Sequence, residues 1–139
     1  MIAYVDSSVI LRVILGQAVV LREWRDIRRG IASALVEVEC LRTLDRLRLR
    51  LKLAGGDLAL RREAVYRLLE TMEVVEPSRA VLARASQPLP IELGTLDAIH
   101  LATAILWRER AATDLVMATH DVPLGTAARS LGLRVVGIG

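Results

Sequence analysis

Short apolar runs alternate with longer amphipathic segments along the chain, and this alternation predicts an α/β fold. The apolar runs predict five strands, over residues 2–6, 31–35, 72–75, 115–119 and 134–138. Strands that alternate with helices pair in parallel and are covered on both faces. The expected architecture is therefore a three-layer α/β/α sandwich around a central, mostly parallel five-stranded sheet.

The segments between these strands predict helices that begin at capping residues and end at glycines. Ser7 or Ser8 is expected to cap the first helix, which ends ahead of Gly16. The other helices are predicted over residues 18–29 (ahead of Gly30), 36–53, 57–70, 78–86, 95–110 and 123–131. The stretch LRLRLKL, residues 47–53, alternates like a strand, but the strong helix formers around it and the following Gly-Gly pair favour a helical hairpin.

A single domain over residues 1–139 is expected, because no repeat, low-complexity tract or linker divides the chain. The hydrophobic fraction is 53% and the mean hydropathy is +0.41. No window approaches the roughly 18 uninterrupted apolar residues of a spanning helix, and the N-terminus indicates neither a signal peptide nor an anchor. The apolar excess instead predicts a contact with another protein, either a second copy or a separate partner.

The distribution of cysteine and basic residues narrows the possible chemistry. Cys40 is the single cysteine, which excludes an internal disulfide framework and a multi-cysteine zinc site and fits a reducing cytoplasm. Lys52 is the only lysine, so arginines carry most of the positive charge of a chain with a net charge of +3. Arginine suits bidentate contact with phosphate, which makes a nucleic acid a candidate partner. A GC-rich genome, which encodes arginine in place of lysine, also explains this bias.

Four acidic residues are expected at the carboxyl edge of the sheet, where open parallel sheets bind ligands. Asp6 follows the first strand and Asp121 the fourth, and each stands where a helix begins. Glu39 and Asp97 lie near the N-terminal ends of two helices. Taken singly, Asp6 and Asp121 are also explained as helix caps, and Glu39 as part of a charged helix face paired with Arg42. Their coincidence at one edge favours a shared site.

Asp97 is the acid that a purely structural role explains least well. The helix over residues 95–110 is apolar nearly all round and should be buried, yet it carries Asp97, His100 and Thr103 at steps of three. The helix dipole stabilises a first-turn carboxylate by only about 0.3–1 kcal/mol. Burying a charge costs several kcal/mol, so a paired group or a metal ion is expected at Asp97. Hard carboxylate oxygens select Mg²⁺ or Mn²⁺ over softer metals.

Four motifs cover most of the chain in order. They are YVDSSVILRVIL (residues 4–15), SALVEVECLRTLDR (residues 33–46), GTLDAIHLATAIL (residues 94–106) and VMATHDVPLGTAARSLGLRVV (residues 116–136). On these motifs the chain resembles the PIN-domain family, specifically the VapC-type toxin ribonucleases of type II toxin–antitoxin pairs. The resemblance implies a PIN-like α/β/α fold and a metal-dependent endoribonuclease that hydrolyses RNA phosphodiester bonds. It also implies one or two Mg²⁺ or Mn²⁺ ions and a small antitoxin as partner.

Carried over residue by residue, the resemblance implies a catalytic quartet of Asp6, Glu39, Asp97 and Asp121. Asp6 and Asp97 are expected to bind the metal directly, and Glu39 and Asp121 either directly or through water. Glu37 stands two residues before Glu39 and is an alternative to it.

Neighbouring residues receive supporting roles. Ser7 is expected to hydrogen-bond a metal-bound water or a phosphate oxygen, and His100 either to pack in the core or to orient Asp97. Arg42 and Arg46, which follow Glu39 on the same helix face, are expected either to contact the RNA backbone or to form surface salt bridges.

Two other classes of protein compete with the nuclease. A non-catalytic PIN-like module that binds nucleic acid or a partner remains open, and metal-dependent RNA cleavage would separate it from the enzyme. Haloacid dehalogenase-like hydrolases and receiver domains are disfavoured, because the former need an aspartate where Ser8 stands and both use a lysine late in the chain. A homodimer in the cytoplasm, away from any membrane, is the expected state.

Overall fold

Five strands form one parallel sheet in a computed structural model that describes residues 1–18 and 20–139. The strands are β1 (Ile2–Val5), β2 (Arg29–Ser33), β3 (Glu73–Val75), β4 (Val116–Ala118) and β5 (Arg134–Val136). Their order across the sheet is β3-β2-β1-β4-β5, and every pairing is parallel. The chain order reverses beside the central β1, and such reversals open a crevice at the carboxyl ends of the strands.

Six α-helices cover the sheet within the same described ranges. They are α1 (Ser7–Ile14), α2 (Leu35–Leu49), α3 (Gly55–Glu70), α4 (Arg79–Ala85), α5 (Thr95–Ala111) and α6 (Val122–Ser130). The predicted hairpin is confirmed, since α2 and α3 pack against each other. No helix in residues 1–18 and 20–139 is both long and apolar enough to cross a membrane.

The core consists of two apolar layers, one on each face of the sheet. Side chains alternate along β1, so Ala3 and Val5 face one layer and Tyr4 faces the other. The first layer packs against α1, α2 and α3, and the second against α5 and α6. Fully burying one large apolar side chain contributes about 1.5–3 kcal/mol, so both layers stabilise the central strand. The expected three-layer α/β/α architecture is confirmed.

The helix predicted over residues 18–29 is wrong. The described part of this segment contains a short 3₁₀ helix, Arg22–Asp26, and position 19 lies outside the described residues. Gly30, expected to end that helix, pairs with Ala3 inside β2. Pairing with β1 extends the backbone here and overrides the helical pattern. A side chain at position 30 would also meet Met72, since a Cβ there would lie 3.2 Å from its Cγ.

The ends of two helices also differ from the prediction. Ser7 and Ser8 do not cap α1, because Asp6 occupies the N-cap position and its side chain makes no capping hydrogen bond. The predicted end at Gly16 is confirmed, where a φ of +63° closes the helix. The helix predicted to run to residue 53 ends at Leu49, and Leu51 adopts a left-handed conformation (φ +56°) in the turn that follows.

Candidate acidic site

The four predicted acids come from four segments that meet at the carboxyl edge of the sheet. Asp6 immediately follows β1, Glu39 lies in the second turn of α2, Asp97 in the first turn of α5, and Asp121 immediately precedes α6. The charges of Asp6, Glu39 and Asp121 all act on Asp97. The fold therefore brings together carboxylates that lie far apart in the sequence.

Asp6 is a buried carboxylate held by hydroxyl groups. Its side chain is only 4% exposed. Ser8 Oγ and Thr119 Oγ1 donate hydrogen bonds of 2.7 and 2.9 Å to Oδ2. The other oxygen, Oδ1, lies 3.4 Å from Ser7 Oγ and 3.9 Å from His100 Nε2. These bonds explain why the serines do not cap α1, since both hydroxyls point toward Asp6.

Asp121 is tied to the same hydroxyl groups through the backbone of its own turn. Its N–H donates to Thr119 Oγ1 at 3.0 Å, and the preceding N–H of His120 donates to Ser8 Oγ at 2.9 Å. Asp121 Oδ1 accepts a 2.9 Å bond from the N–H of Leu124. The ordinary role of Asp121 as a helix cap is thus confirmed, and the same residue faces the acidic group.

Glu39, and not Glu37, faces the other acids. Glu39 is partly buried, with Oε1 2.6 Å from His100 Nε2 and Oε2 3.4 Å from Ser7 Oγ. Glu37 is exposed to solvent. The expected pairing of Glu39 with Arg42 is wrong, because Arg42 instead forms a 3.4 Å ion pair with Asp45. The bond with His100 draws Glu39 inward, away from that arginine.

His100 is fully buried and is hydrogen-bonded through both ring nitrogens. Nδ1 lies 2.6 Å from the hydroxyl of Tyr4, and Nε2 lies 2.6 Å from Glu39. Burial lowers the pKa of His100, but the hydrogen bond to Glu39 and the charges of Asp6, Glu39 and Asp97 outweigh burial and raise it. Of the two roles expected for His100, packing in the core is confirmed, since the residue is buried. Its ring nitrogens bond Tyr4 and Glu39 and not Asp97.

Tyr4 is the member of the site that sequence reasoning missed. The residue lies two positions before Asp6, and its ring packs edge-on against His100 with centroids 5.9 Å apart. The available signal was a single polar-tipped aromatic in an otherwise aliphatic strand, which a buried strand tolerates only when the hydroxyl has a partner.

The carboxyl of Asp97 has a strongly raised pKa. Burial, followed by the charges of Asp121 and Asp6, raises its pKa from 3.8 to about 6, and His100 offsets this only in part. Nearby negative charge of this kind disfavours ionisation unless a cation lies among the carboxylates. The local electrostatics therefore favour a bound cation.

The four carboxylates are chemically suited to bind Mg²⁺ or Mn²⁺, although they do not surround a metal position completely. Within residues 1–18 and 20–139, no three acidic, histidine or cysteine side chains are already placed to enclose a metal ion. Carboxylate oxygens are the ligands such ions prefer, and Mg²⁺ usually keeps several of its waters. A hydrated ion held by one or two carboxylates fits these residues. Cys40 is buried in the core, and burial raises the pKa of its thiol to about 12, so the thiolate that a metal would need is disfavoured.

A positively charged surface begins beside the acids on α2. Arg42 and Arg46 follow Glu39 by three and seven residues, so they lie on its helix face, and both are exposed. Arg46 donates a 2.9 Å bond to Thr43 Oγ1. Residues 42–67 contain eight basic and three acidic side chains, a net charge of +5, against −2 for the rest of the chain. The basic character of the protein is concentrated on this hairpin.

Comparisons with known proteins place the chain among characterised sequences. The PIN domain family model matches residues 3–121. Ribonuclease VapC46 of Mycobacterium tuberculosis (strain ATCC 25618 / H37Rv) is 35% identical over 137 residues, which cover 96% of this chain and 95% of the relative. A chain of a toxin-antitoxin complex from Klebsiella pneumoniae has a similar fold, with a TM-score of 0.59, 19% identity and 86% of each chain covered.

Proposed function

Because this chain belongs to the PIN-domain family, we propose that it is a VapC-type toxin endoribonuclease that hydrolyses RNA phosphodiester bonds. The observation that carries the proposal is the meeting of four acidic residues at one edge of the sheet, around a half-buried Asp97 whose pKa is raised. A full-length ribonuclease relative supports the same activity. A PIN-like module that only binds nucleic acid is the alternative.

We infer that the acidic site holds one or two Mg²⁺ or Mn²⁺ ions. Asp6 and Asp97 are the proposed direct ligands, and Glu39 and Asp121 act directly or through water. When bound, such an ion supplies an acidified water and neutralises charge that develops on the phosphodiester. In the hydrolysis, a water oxygen bonds to phosphorus while one ribose oxygen leaves and takes up a proton.

The chain's own residues keep the carboxylates in place for this reaction. Ser8 and Thr119 fix Oδ2 of Asp6, which leaves Oδ1 with the longer contacts to Ser7 and His100. Ser7 Oγ lies 3.4 Å from both Asp6 and Glu39, where its hydroxyl can bond a water or a phosphate oxygen. The site therefore combines fixed acceptors with one adjustable hydroxyl.

We propose that Arg42 and Arg46 bind the phosphates of the RNA backbone. Both guanidinium groups are exposed on the positively charged α2–α3 hairpin, on the same helix face as Glu39. The ion pair of Arg42 with Asp45 lies at the surface, where solvent screens the attraction and such pairs contribute little to stability. A phosphate can therefore replace Asp45 at little cost.

We further propose a small antitoxin and a second copy of this chain as protein partners. The exposed Leu49, Leu51 and Leu60 on the hairpin support such contacts, and Leu51 is 93% exposed. We infer that residues 1–139 form one domain, because the central β1 pairs with strands from both halves of the chain. An RNA substrate and a single buried cysteine fit a cytoplasmic location.

Cleavage of RNA by the purified protein tests the proposal. The protein is expected to cut RNA with Mg²⁺ or Mn²⁺ and to stop when EDTA is added. Asp97→Asn should abolish most of the cleavage, and Asp114→Asn, an exposed acid at the opposite edge of the sheet, should retain it. RNA binding without cleavage at any metal concentration would instead favour the non-catalytic module.

A further inference from the structure

A buried chain of hydrogen bonds leads from the centre of the sheet to Glu39. The Tyr4 hydroxyl lies 2.6 Å from His100 Nδ1, and His100 Nε2 lies 2.6 Å from Glu39 Oε1. Tyr4 and His100 are both 0% exposed, so water does not compete for these bonds. The chain links β1, α5 and α2, the elements that carry Asp6, Asp97 and Glu39.

The direction of these hydrogen bonds follows from the chemistry of the groups. A neutral imidazole has one N–H and one lone-pair nitrogen, whereas an ionised carboxylate only accepts. If the Tyr4 hydroxyl donates to Nδ1, the imidazole proton must be on Nε2, where it is donated to Glu39. A charged imidazole donates from both nitrogens, to Tyr4 and to Glu39. In either state the Nε2–H points at Oε1 of Glu39.

Close packing alone does not explain why this buried pair is polar. Replacing both partners of a buried hydrogen bond by apolar groups of similar shape can be nearly neutral for stability. Phenylalanine would fill the space of the Tyr4 ring, and an apolar residue would suit the buried face of α5 at position 100. The pair instead connects the core to one carboxylate of the acidic site, whose other hydrogen bond within residues 1–18 and 20–139 comes from Ser7 at 3.4 Å.

We propose that Tyr4 is a positioning residue, which fixes the imidazole ring of His100 and thereby orients Glu39 in the acidic site. The importance of this for catalysis rests on the proposed function, because it assumes that Glu39 serves the metal. Without the phenol, Nδ1 of His100 would lack its partner, and the imidazole ring would be held only through Nε2. The ring could then turn about its side-chain bonds, and Glu39 would no longer have a donor at a fixed position.

Nitrogen-15 NMR of the metal-free protein tests the proposal without any activity. The chain has only two histidines, His100 and His120, so the ring signals are readily assigned. His100 is expected to carry an Nε2–H that is protected from exchange with water in the wild type, and this N–H is expected to exchange measurably faster in Tyr4→Phe. Tyr66→Phe is the matched control, because Tyr66 is the other tyrosine and is exposed on α3. An Nδ1–H tautomer in the wild type, or an unchanged His100 in Tyr4→Phe, overturns the proposal.

Metal binding and cleavage measure the consequence at Glu39. Tyr4→Phe is expected to weaken Mn²⁺ binding and to lower kcat by about 10–100-fold, the usual range for a residue that orients a metal ligand. In a Glu39→Gln background, Tyr4→Phe should cause no further loss, because it acts through Glu39. If the double variant instead shows the combined losses of the two single variants, Tyr4 does not act through Glu39. If the wild type carries the expected Nε2–H but does not cleave RNA, the proposed ribonuclease activity is refuted. The positioning role of Tyr4 is not affected by that result.

A second pair of variants covers the case in which Tyr4→Phe does not fold. His100→Gln keeps an N–H donor that can reach toward Glu39, whereas His100→Leu fills similar space without one. His100→Gln is expected to retain more Mn²⁺ affinity than His100→Leu. Equal affinities in the two variants overturn the proposal, because a merely space-filling role predicts no difference.

Discussion

The hydroxyl of Thr119 donates a 2.9 Å hydrogen bond to Oδ2 of Asp6, across 113 residues of sequence. The same hydroxyl accepts the N–H of Asp121 at 3.0 Å. One side chain at the end of β4 therefore sets the relative positions of two acids. This bond is buried, and bonds to charged groups of this kind contribute about 1.5–3 kcal/mol.

Thr119→Val is expected to lower both stability and cleavage. Valine has nearly the same shape but cannot donate to Asp6, so the variant should lose about 1–3 kcal/mol in urea unfolding. Cleavage should fall about 10–100-fold, since Asp6 is left with Ser8 as its main donor. Thr126→Val, on the exposed face of α6, is the control and should behave as the wild type. Similar losses in both variants would contradict the role of Thr119.

Removing the charge of Asp97 is expected to stabilise the metal-free protein. Its pKa is about 6 in the folded state against an ordinary 3.8, so the folded protein holds this proton more tightly than the unfolded chain. The ionised group therefore destabilises the fold fully above pH 6, less as the pH falls toward 3.8, and not at all below it. At pH 7.5, Asp97→Asn should gain about 1 kcal/mol after allowance for solvent screening.

Thermal unfolding in EDTA across this pH range measures the effect, with Asp114→Asn as the control that should gain nothing. Added Mn²⁺ should then raise the melting temperature of the wild type more than that of Asp97→Asn, because a ligand stabilises only the state that binds it. If Asp97→Asn is instead less stable than the wild type at pH 7.5 without metal, other groups of the protein already stabilise the charge of Asp97.

Glutamine substitutions at the two neighbouring glutamates separate their roles. Glu39→Gln should reduce Mn²⁺ affinity and cleavage about 10–100-fold, because Glu39 faces the acids and His100. Glu37→Gln should remain close to the wild type, since this side chain is exposed. Both substitutions leave the helix propensity of α2 nearly unchanged. The reverse ranking of the two variants would assign the fourth acid to Glu37.

Loss of the two arginines beside Glu39 is expected to weaken RNA binding without changing the chemistry. The double variant Arg42→Ala/Arg46→Ala should raise KM and leave kcat largely intact. On single-stranded RNA, the slope of log affinity against log salt should fall by about 0.7 for each phosphate that the variant no longer neutralises. Arg129→Ala, near the end of α6, removes a distant exposed arginine and is the control. An unchanged slope would assign Arg42 and Arg46 to surface salt bridges alone.

Much of the fold was predictable because its signals are local. Each strand is a short apolar run that closes at a polar or turn residue, and the parallel pairing follows from the alternation with helices. The helix predicted over residues 18–29 is wrong because tertiary contacts override the local pattern. Its helical pattern yields to the pairing of β2 with β1, which begins with Arg29 opposite Ile2. No local preference at Gly30 reveals that pairing.

The acidic site was predictable in its membership but not in its internal bonds. Asp6 and Asp121 follow strand ends, and this position alone places them at one edge of a parallel sheet. The partners of His100 depend on the depth of α5 against β1, which helical spacing from Asp97 does not give. Ser7 or Ser8 was expected to cap α1, but the hydroxyl of Ser8 bonds to Asp6 and to the backbone of the turn after β4. Such bonds exist only after the sheet has formed.

The central position of β1 has a consequence for the timing of synthesis. Asp6 leaves the ribosome first, yet it gains the Thr119 bond and its place beside Asp121 only when β4 has paired with β1. Pairing strands so distant in sequence requires a long loop to close, which is slow compared with local folding. A growing chain shorter than about 121 residues therefore holds an incomplete set of acids. The nascent chain is therefore expected to lack cleavage activity until Asp121 has been translated and β4 has paired with β1.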